Sequence, residues 1–519
     1  MIPTEKYFRK TLEKIDGWSS KQKIMVLIVI WILIFVPAIF IFTSVHRRSM
    51  FSYHPEGASP LDNINEGWNV SVSPEPDKQT EDRYVIEVEE DEEVKFRWNT
   101  TEYTARVHLG QVNVYYNTSW GEEGVIRLRQ IKEESEGENE TWERNKTFDH
   151  SGDVYYYFRT DKSDVALYQR RAEVLLEGGN LYEDIRTDPP PIINFLFIPP
   201  TALSAPGSIG GYYLSFYIYF AFLILIGAFL ISSTFKSWGE NRAFLASVLY
   251  IANPLTVYTL FQDSGVVAFL LIISIFLIVK GWKKLGMVSI GLGTAAKVWS
   301  GFLIPSVLFD GNASIRSRIK YLLFSSGFLG GSLLFFYRLW GPQTFFFITF
   351  YGGGAAKFEF QGINIWAGLN RAIPSSIFFS TDIVLIGLVI AGLLLLYIAY
   401  KRRWDFMAIF TVIFLIFLLF YPKIHWWYFF IPFPILVFYS VRDSRKLNLF
   451  LGLTIFSTLA NFSRHRYFPV IPSTMNNWIS LMFTLIFTLI GLKMIHLFLT
   501  EEDMSNHFDT VLKRDKTSD

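Results

Sequence analysis

The chain has no cysteine in 519 residues. That excludes disulfides, thiolate metal sites and a cysteine nucleophile, so any domain facing an oxidising compartment is held by packing alone. No Walker-type motif is present and no G-x-G-x-x-G follows a strand pattern, which argues against a nucleotide-driven pump. The glycines of YGGGAAKF read as loop, not as a phosphate cradle. No spacing of His, Asp or Glu suits a metal, and His465 between Arg464 and Arg466 is a poor ligand because neighbouring cations oppose metal binding. The chain has no internal repeat. The net charge is +1, but it hides an uneven distribution, so the total says little about partners.

Apolar sequence is abundant. Hydrophobic residues make up 51% and aromatics 18%, with 50 Phe. Mean hydropathy is +0.27 although a long polar insert lowers it. Runs such as KIMVLIVIWILIFVPAIFIFT and AFLILIGAFLI are the transmembrane signature. About twelve crossings are expected from these runs, near 24–44, 212–233, 243–260, 265–280, 285–296, 299–309, 320–337, 376–400, 405–420, 427–440, 447–461 and 476–499. The first lacks a small-residue cleavage pattern and reads as a retained anchor. Lys6, Arg9, Lys10, Lys14, Lys21 and Lys23 precede it and put residues 1–44 with their amino end in the cytoplasm. The inner loops are then basic throughout: Lys236 and Arg242; Lys280, Lys283 and Lys284; Arg316, Arg318 and Lys320; Lys401, Arg402 and Arg403; Arg442, Arg445 and Lys446. This pattern survives only if 285–309 is split at Lys297 into two short helices, with the lysine in a turn that lines a wet cavity.

Residues 45–160 differ. YVIEVEE, EVKFRW, ARVHLGQVNVYY and DVYYYFR alternate with period two, which predicts an extracytoplasmic antiparallel β-domain. It carries five sequons, at Asn69, Asn99, Asn117, Asn139 and Asn145, as an external surface would. The expected organisation is an N-terminal tail and first helix (1–44), the β-rich domain (45–160), a first-loop segment (161–211), a helical bundle (212–499) and a charged cytoplasmic tail (500–519).

Outward-facing charges are the candidates for chemistry: Asp164, Asp184, Arg186, Asp188, Asp263, Lys297, Arg338, Lys357, Glu359, Arg371, Lys423, His425, Arg464, His465 and Arg466. The positive-inside tendency disfavours outer bases, so this set suits an anion at headgroup depth, such as a lipid phosphate. Singly, each could snorkel or pair locally. Asp164 could serve as a general base that takes the proton of an attacking hydroxyl; taken alone, it is as suited to capping the helix that follows it. DPPPIINFLFIPP cannot form one regular helix and reads as a short interfacial or re-entrant segment. Trp426, Trp427 and Tyr428 fit an aromatic belt.

These stretches resemble a known family. D-x-x-x-Y from Asp164, then RAEVLLEGGNLYED and PPP, is similar to the first outer loop of GT-C membrane glycosyltransferases. NPLTVYTLFQDSG, KKLGMVSIGLGTAAKVWSGFLIP and PKIHWWYFFIPFPIL follow in the family's order. The nearest likeness is to polyprenol-phosphate-mannose-dependent α-mannosyltransferases, such as the catalytic subunit of GPI mannosyltransferase I. The resemblance implies a polytopic α-helical GT-C bundle with an outward active site. It implies an inverting glycosyltransferase that moves a hexose, mannose first, from a polyprenyl (dolichyl-type) phosphate to a lipid- or protein-linked glycan acceptor. Asp164 would be the base. Lys297, Lys423, His425 and Arg371 would hold the donor phosphate, and Asp184, Arg186, Asp188, Gln262, Asp263 and Tyr428 would shape the sugar pocket. The only cofactor the reading allows is a divalent cation; the partners are the lipid-linked sugar, the acceptor and membrane lipid, with no nucleic acid. The β-domain departs from the family, in which the aspartate follows the first helix closely. Sequons without cysteine point to an archaeal plasma membrane. A secondary transporter or lipid flippase is the alternative, disfavoured by the missing repeat, and a receptor anchored by its helices ranks below that.

Overall fold

The computed structural model describes residues 4–46, 50–54, 57–58, 68–73, 76–80, 83–100, 111–131, 141–161, 163–182, 187, 189–204, 211–236, 239–311, 313–345, 360–373, 380–464 and 473–500. Helices α1 (Thr4–Asp16) and α2 (Ser20–His46) lead into eleven strands. These are β1 (Met50–His54), β2 (Gly57–Ala58), β3 (Trp68–Ser73), β4 (Lys78–Gln79), β5 (Tyr84–Val88), β6 (Glu92–Thr100), β7 (Gln111–Thr118), β8 (Glu123–Arg127), β9 (Arg129–Ile131), β10 (Thr141–Phe148) and β11 (Gly152–Asp161). One sheet runs β2-β1-β11-β5-β4, with β7 also paired to β11 and β8 paired to β7, and a second runs β3-β6-β10-β9. All these pairings are antiparallel. Period-two alternation gives each sheet one apolar face, and Phe96, Trp98, Val114, Trp142, Phe148 and Phe158 from both sheets fill one core.

Helices follow: α3 (Asp164–Leu176), α4 (Ile192–Phe195), α5 (Ile198–Ala202), α6 (Gly211–Phe235), α7 (Glu240–Ile251), α8 (Pro254–Tyr258), α9 (Ser264–Val279), α10 (Lys283–Ala296), α11 (Leu303–Leu308) and α12 (Ile315–Trp340). Then come β12 (Gln361–Gly362), α13 (Ile365–Ala372), α14 (Thr381–Lys401), α15 (Phe406–Phe420), β13 (Lys423–Ile424), α16 (Phe433–Ser440), α17 (Ser444–Arg464) and α18 (Ser473–Thr500). Among the described residues five helices are long and apolar enough to cross a membrane: Ser20–Ser44, Tyr212–Phe235, Ile315–Trp340, Thr381–Lys401 and Thr474–Thr500. Their outward residues stay apolar, as at Leu33, Phe40, Leu323, Val389 and Leu489, a face suited to lipid and not to water.

Other expected spans are shorter or interrupted. The expected helix 243–260 stops at Ala252, because Pro254 cannot continue it; Asn253 accepts from Leu255 N and starts a new short helix. Within 427–440 only Phe433–Ser440 is α-helical, after a 3-10 turn Trp426–Phe430 and Pro432. The split at Lys297 is present: α10 ends at Ala296, Lys297 is extended (φ −158°, ψ 135°), and a 3-10 turn Val298–Phe302 leads into α11. The proline-rich segment forms the two short helices α4 and α5.

Candidate active site

Asp164 is the first residue of α3, yet it does not cap the helix. Ser163 does, accepting from Ala166 N at 3.1 Å while its hydroxyl also meets Tyr213 Oη at 2.9 Å. The capping role weighed for Asp164 is therefore filled by its neighbour, and the Asp164 carboxylate is free to face outward. Gln262 Nε2 donates to Asp164 Oδ2 at 2.6 Å. One helical turn on, Tyr168 Oη accepts from Asp263 N at 3.3 Å. Positions i and i+4 lie on one helix face, so the D-x-x-x-Y pair grips two consecutive residues of the turn before α9. Phe197, from the proline-rich segment, stacks on Tyr168 with ring centroids 4.5 Å apart and fixes the tyrosine from behind.

Asp263 and Asp164 have different fates. Lys297 Nζ donates to both oxygens of Asp263 at 2.6 Å, and each side chain is 9% exposed. Asp263 is thus buried and neutralised. Asp164 is exposed and holds only a neutral amide at its second oxygen. The protein packed around it raises its pKa above the usual carboxylate range; the Gln262 hydrogen bond opposes this, Asp263 adds to it, and the charges of Lys297 and Arg171 oppose it. Arg171, seven residues after Asp164 and on the same helix face, escaped the sequence reading; the i, i+4, i+7 spacing of Asp164, Tyr168 and Arg171 was its signal.

Tyr428 also approaches Lys297. Lys297 Nζ lies 5.8 Å from its ring centroid, Trp299 packs at 5.0 Å and His425 meets it edge-on at 5.7 Å. His425 and Lys423 are brought here by a parallel bridge in which Gln361 pairs Lys423 and Gly362 pairs Ile424. Gly362 has φ +97°, and a Cβ there would run into the Ile424 carbonyl, so only glycine suits this close approach. Arg371 braces the bridge from behind: its Nη1 donates to Gly362 O at 2.9 Å and its Nη2 to Ser480 Oγ at 3.3 Å. The sequence put Arg371 and Lys297 on a donor phosphate; the structure gives both to protein partners. Asp184, Arg186 and Asp188 lie outside the described residues, as do Lys357, Glu359, His465 and Arg466. Among the described residues no group of three His, Asp or Glu side chains could hold a metal ion.

The β-domain is tied to this helix. Arg127 of β8 pairs with Glu173, and Arg129 Nη2 reaches Glu177 at 2.9 Å. Glu173 also accepts from Gln169 at 2.8 Å and from Arg170, 1% exposed, at 3.4 Å. The insert thus presses on the far end of the helix that begins with Asp164. Comparison with protein-family models gave no match, and comparison with curated proteins gave none.

Proposed function

We propose that this chain is a GT-C-type membrane glycosyltransferase with about twelve helical segments in the bilayer, facing outward from a plasma membrane. It would move a hexose, mannose first, from a polyprenyl phosphate to a glycan or lipid acceptor. The observation that carries the reading is one accessible carboxylate, Asp164, oriented by Gln262 beside a second carboxylate that Lys297 has silenced. Base catalysis needs a free carboxylate of raised pKa, and neutralising Asp263 leaves Asp164 to act alone.

In this reaction the acceptor oxygen bonds to the anomeric carbon as the bond from that carbon to the phosphate oxygen breaks. The bonding pair leaves with the phosphate, and the acceptor proton passes to Asp164. Attack opposite the leaving group inverts the anomeric centre. Lys423 and His425, in the segment that leads to Tyr428, would supply a positive charge and hydrogen bonds to the departing phosphate, and Tyr428 would offer an aromatic face to the sugar.

The test is Asp164→Asn, which keeps the Gln262 contact and removes the base. Membranes holding the variant and supplied with labelled polyprenyl-phosphate mannose should lose transfer by about 100-fold or more. Full transfer by the variant would remove the assignment. Sugar-lipid flux across proteoliposomes without covalent product would establish the transport alternative.

A further inference from the structure

The α9–α10 hairpin has two unlike ends. The Asp263–Lys297 pair closes one; the other is the turn Lys280–Trp282, with Gly281 at φ +88°. The 16 residues of α9 separate them by about 24 Å. Helix α12 packs along α10 and points the same way, its last residue Trp340 stacking near Tyr182 and Phe195 beyond α3. Its first turn therefore lies beside the hairpin turn, at the membrane face opposite Asp164.

A cavity of about 650 Å³ opens there, lined by Trp282, Lys283, Lys284, Ser317, Lys320 and Tyr321 among others. No carboxylate among the described residues lines it. Three other bases of this face are engaged by protein: Lys280 donates to Ser233 O at 3.0 Å, Arg402 to Leu499 O, and Lys236 pairs with Glu240 at 3.7 Å. Lys284 and Lys320 make no ion pair among the described residues. Directly beyond the cavity, Leu285, Ile315, Ile319 and Leu323 are more than half exposed and form an apolar strip toward the bilayer. We propose that this cavity binds the headgroup phosphate of an anionic phospholipid, with its acyl chains along α10 and α12. Charge, aromatic rim and apolar strip follow one another in the order that such a lipid presents them. A soluble phosphate would use the lysines and leave the strip without a role.

Native mass spectrometry of the full chain in detergent tests this, with phosphatidylglycerol and phosphatidylcholine of identical chains as probes. The parent should retain phosphatidylglycerol in preference. Lys283→Gln/Lys284→Gln/Lys320→Gln should weaken it on the order of 100-fold, about fivefold per lysine, while Lys10→Gln/Lys14→Gln on α1 should not. Ser317→Glu is the second variant. Ser314 caps α12 and accepts from Ser317 N at 3.2 Å, so glutamate there completes a capping box that preserves the helix while its charge repels the lipid. Equal retention of both lipids, equal loss in the α1 variant, or displacement of phosphatidylglycerol by millimolar inorganic phosphate would each overturn the proposal.

Discussion

Replacing Lys297 with methionine puts the Asp263–Lys297 pair under direct test. Both side chains are 9% exposed and the two contacts are 2.6 Å, so the mutation keeps the bulk of the stem and strands a buried carboxylate. Removing one partner of a buried pair costs about 3–5 kcal/mol, most of it the unpaired charge left behind. Lys297→Met should lower stability by that amount and Asp263→Leu by a similar one. In the double variant neither charge remains, and the loss should shrink to about 1 kcal/mol or less. The coupling energy is then several kcal/mol, read from thermal or denaturant unfolding in one detergent across the four proteins. Single variants that each cost under about 1 kcal/mol, or that add without coupling, would show that the lysine is held by something else. The same four proteins separate folding from chemistry: a refolded double variant that still transfers sugar would assign Lys297 to positioning alone.

Three further outcomes follow. Gln262→Leu removes the hydrogen bond that holds the Asp164 pKa down, so the acid limb of kcat/KM should move to higher pH and activity should drop about tenfold or more. Glu173→Ala strands the buried Arg170 and frees Arg127, with an expected loss of about 3–5 kcal/mol, visible as a lowered unfolding midpoint. Asp405 caps α15 by accepting from Ala408 N at 2.9 Å, so Asp405→Leu should cost about 1 kcal/mol and lower the unfolding midpoint. Asp405→Asn keeps the cap and should hold the midpoint near that of the parent, as thermal unfolding of the three proteins in one detergent will show.

The sequence was legible where one-dimensional pattern carries the physics. Apolar runs located the long helices, and period-two alternation located the sheets. Bases at alternate loops, with the lysine inside an apolar run, located the break at Lys297, because a buried charge and a continuous helix exclude one another unless a partner is near. The sequence and its family resemblance also put Asp164, Gln262, Asp263, Lys297 and Tyr428 at one site together with six other residues, but gave them no pairing. Pairing depends on contacts between residues far apart in the chain: 98 positions separate Asp164 from Gln262 and 34 separate Lys297 from Asp263. Only the tertiary structure decided that Ser163 caps α3 so that Asp164 does not, that Lys297 is spent on Asp263, and that Arg371 braces a backbone bridge. It also decided that Pro254 and Pro432 cut two apolar runs into short helices. Hydropathy adds residues along the chain; a hydrogen bond depends on where two distant atoms meet, and packing alone fixes that.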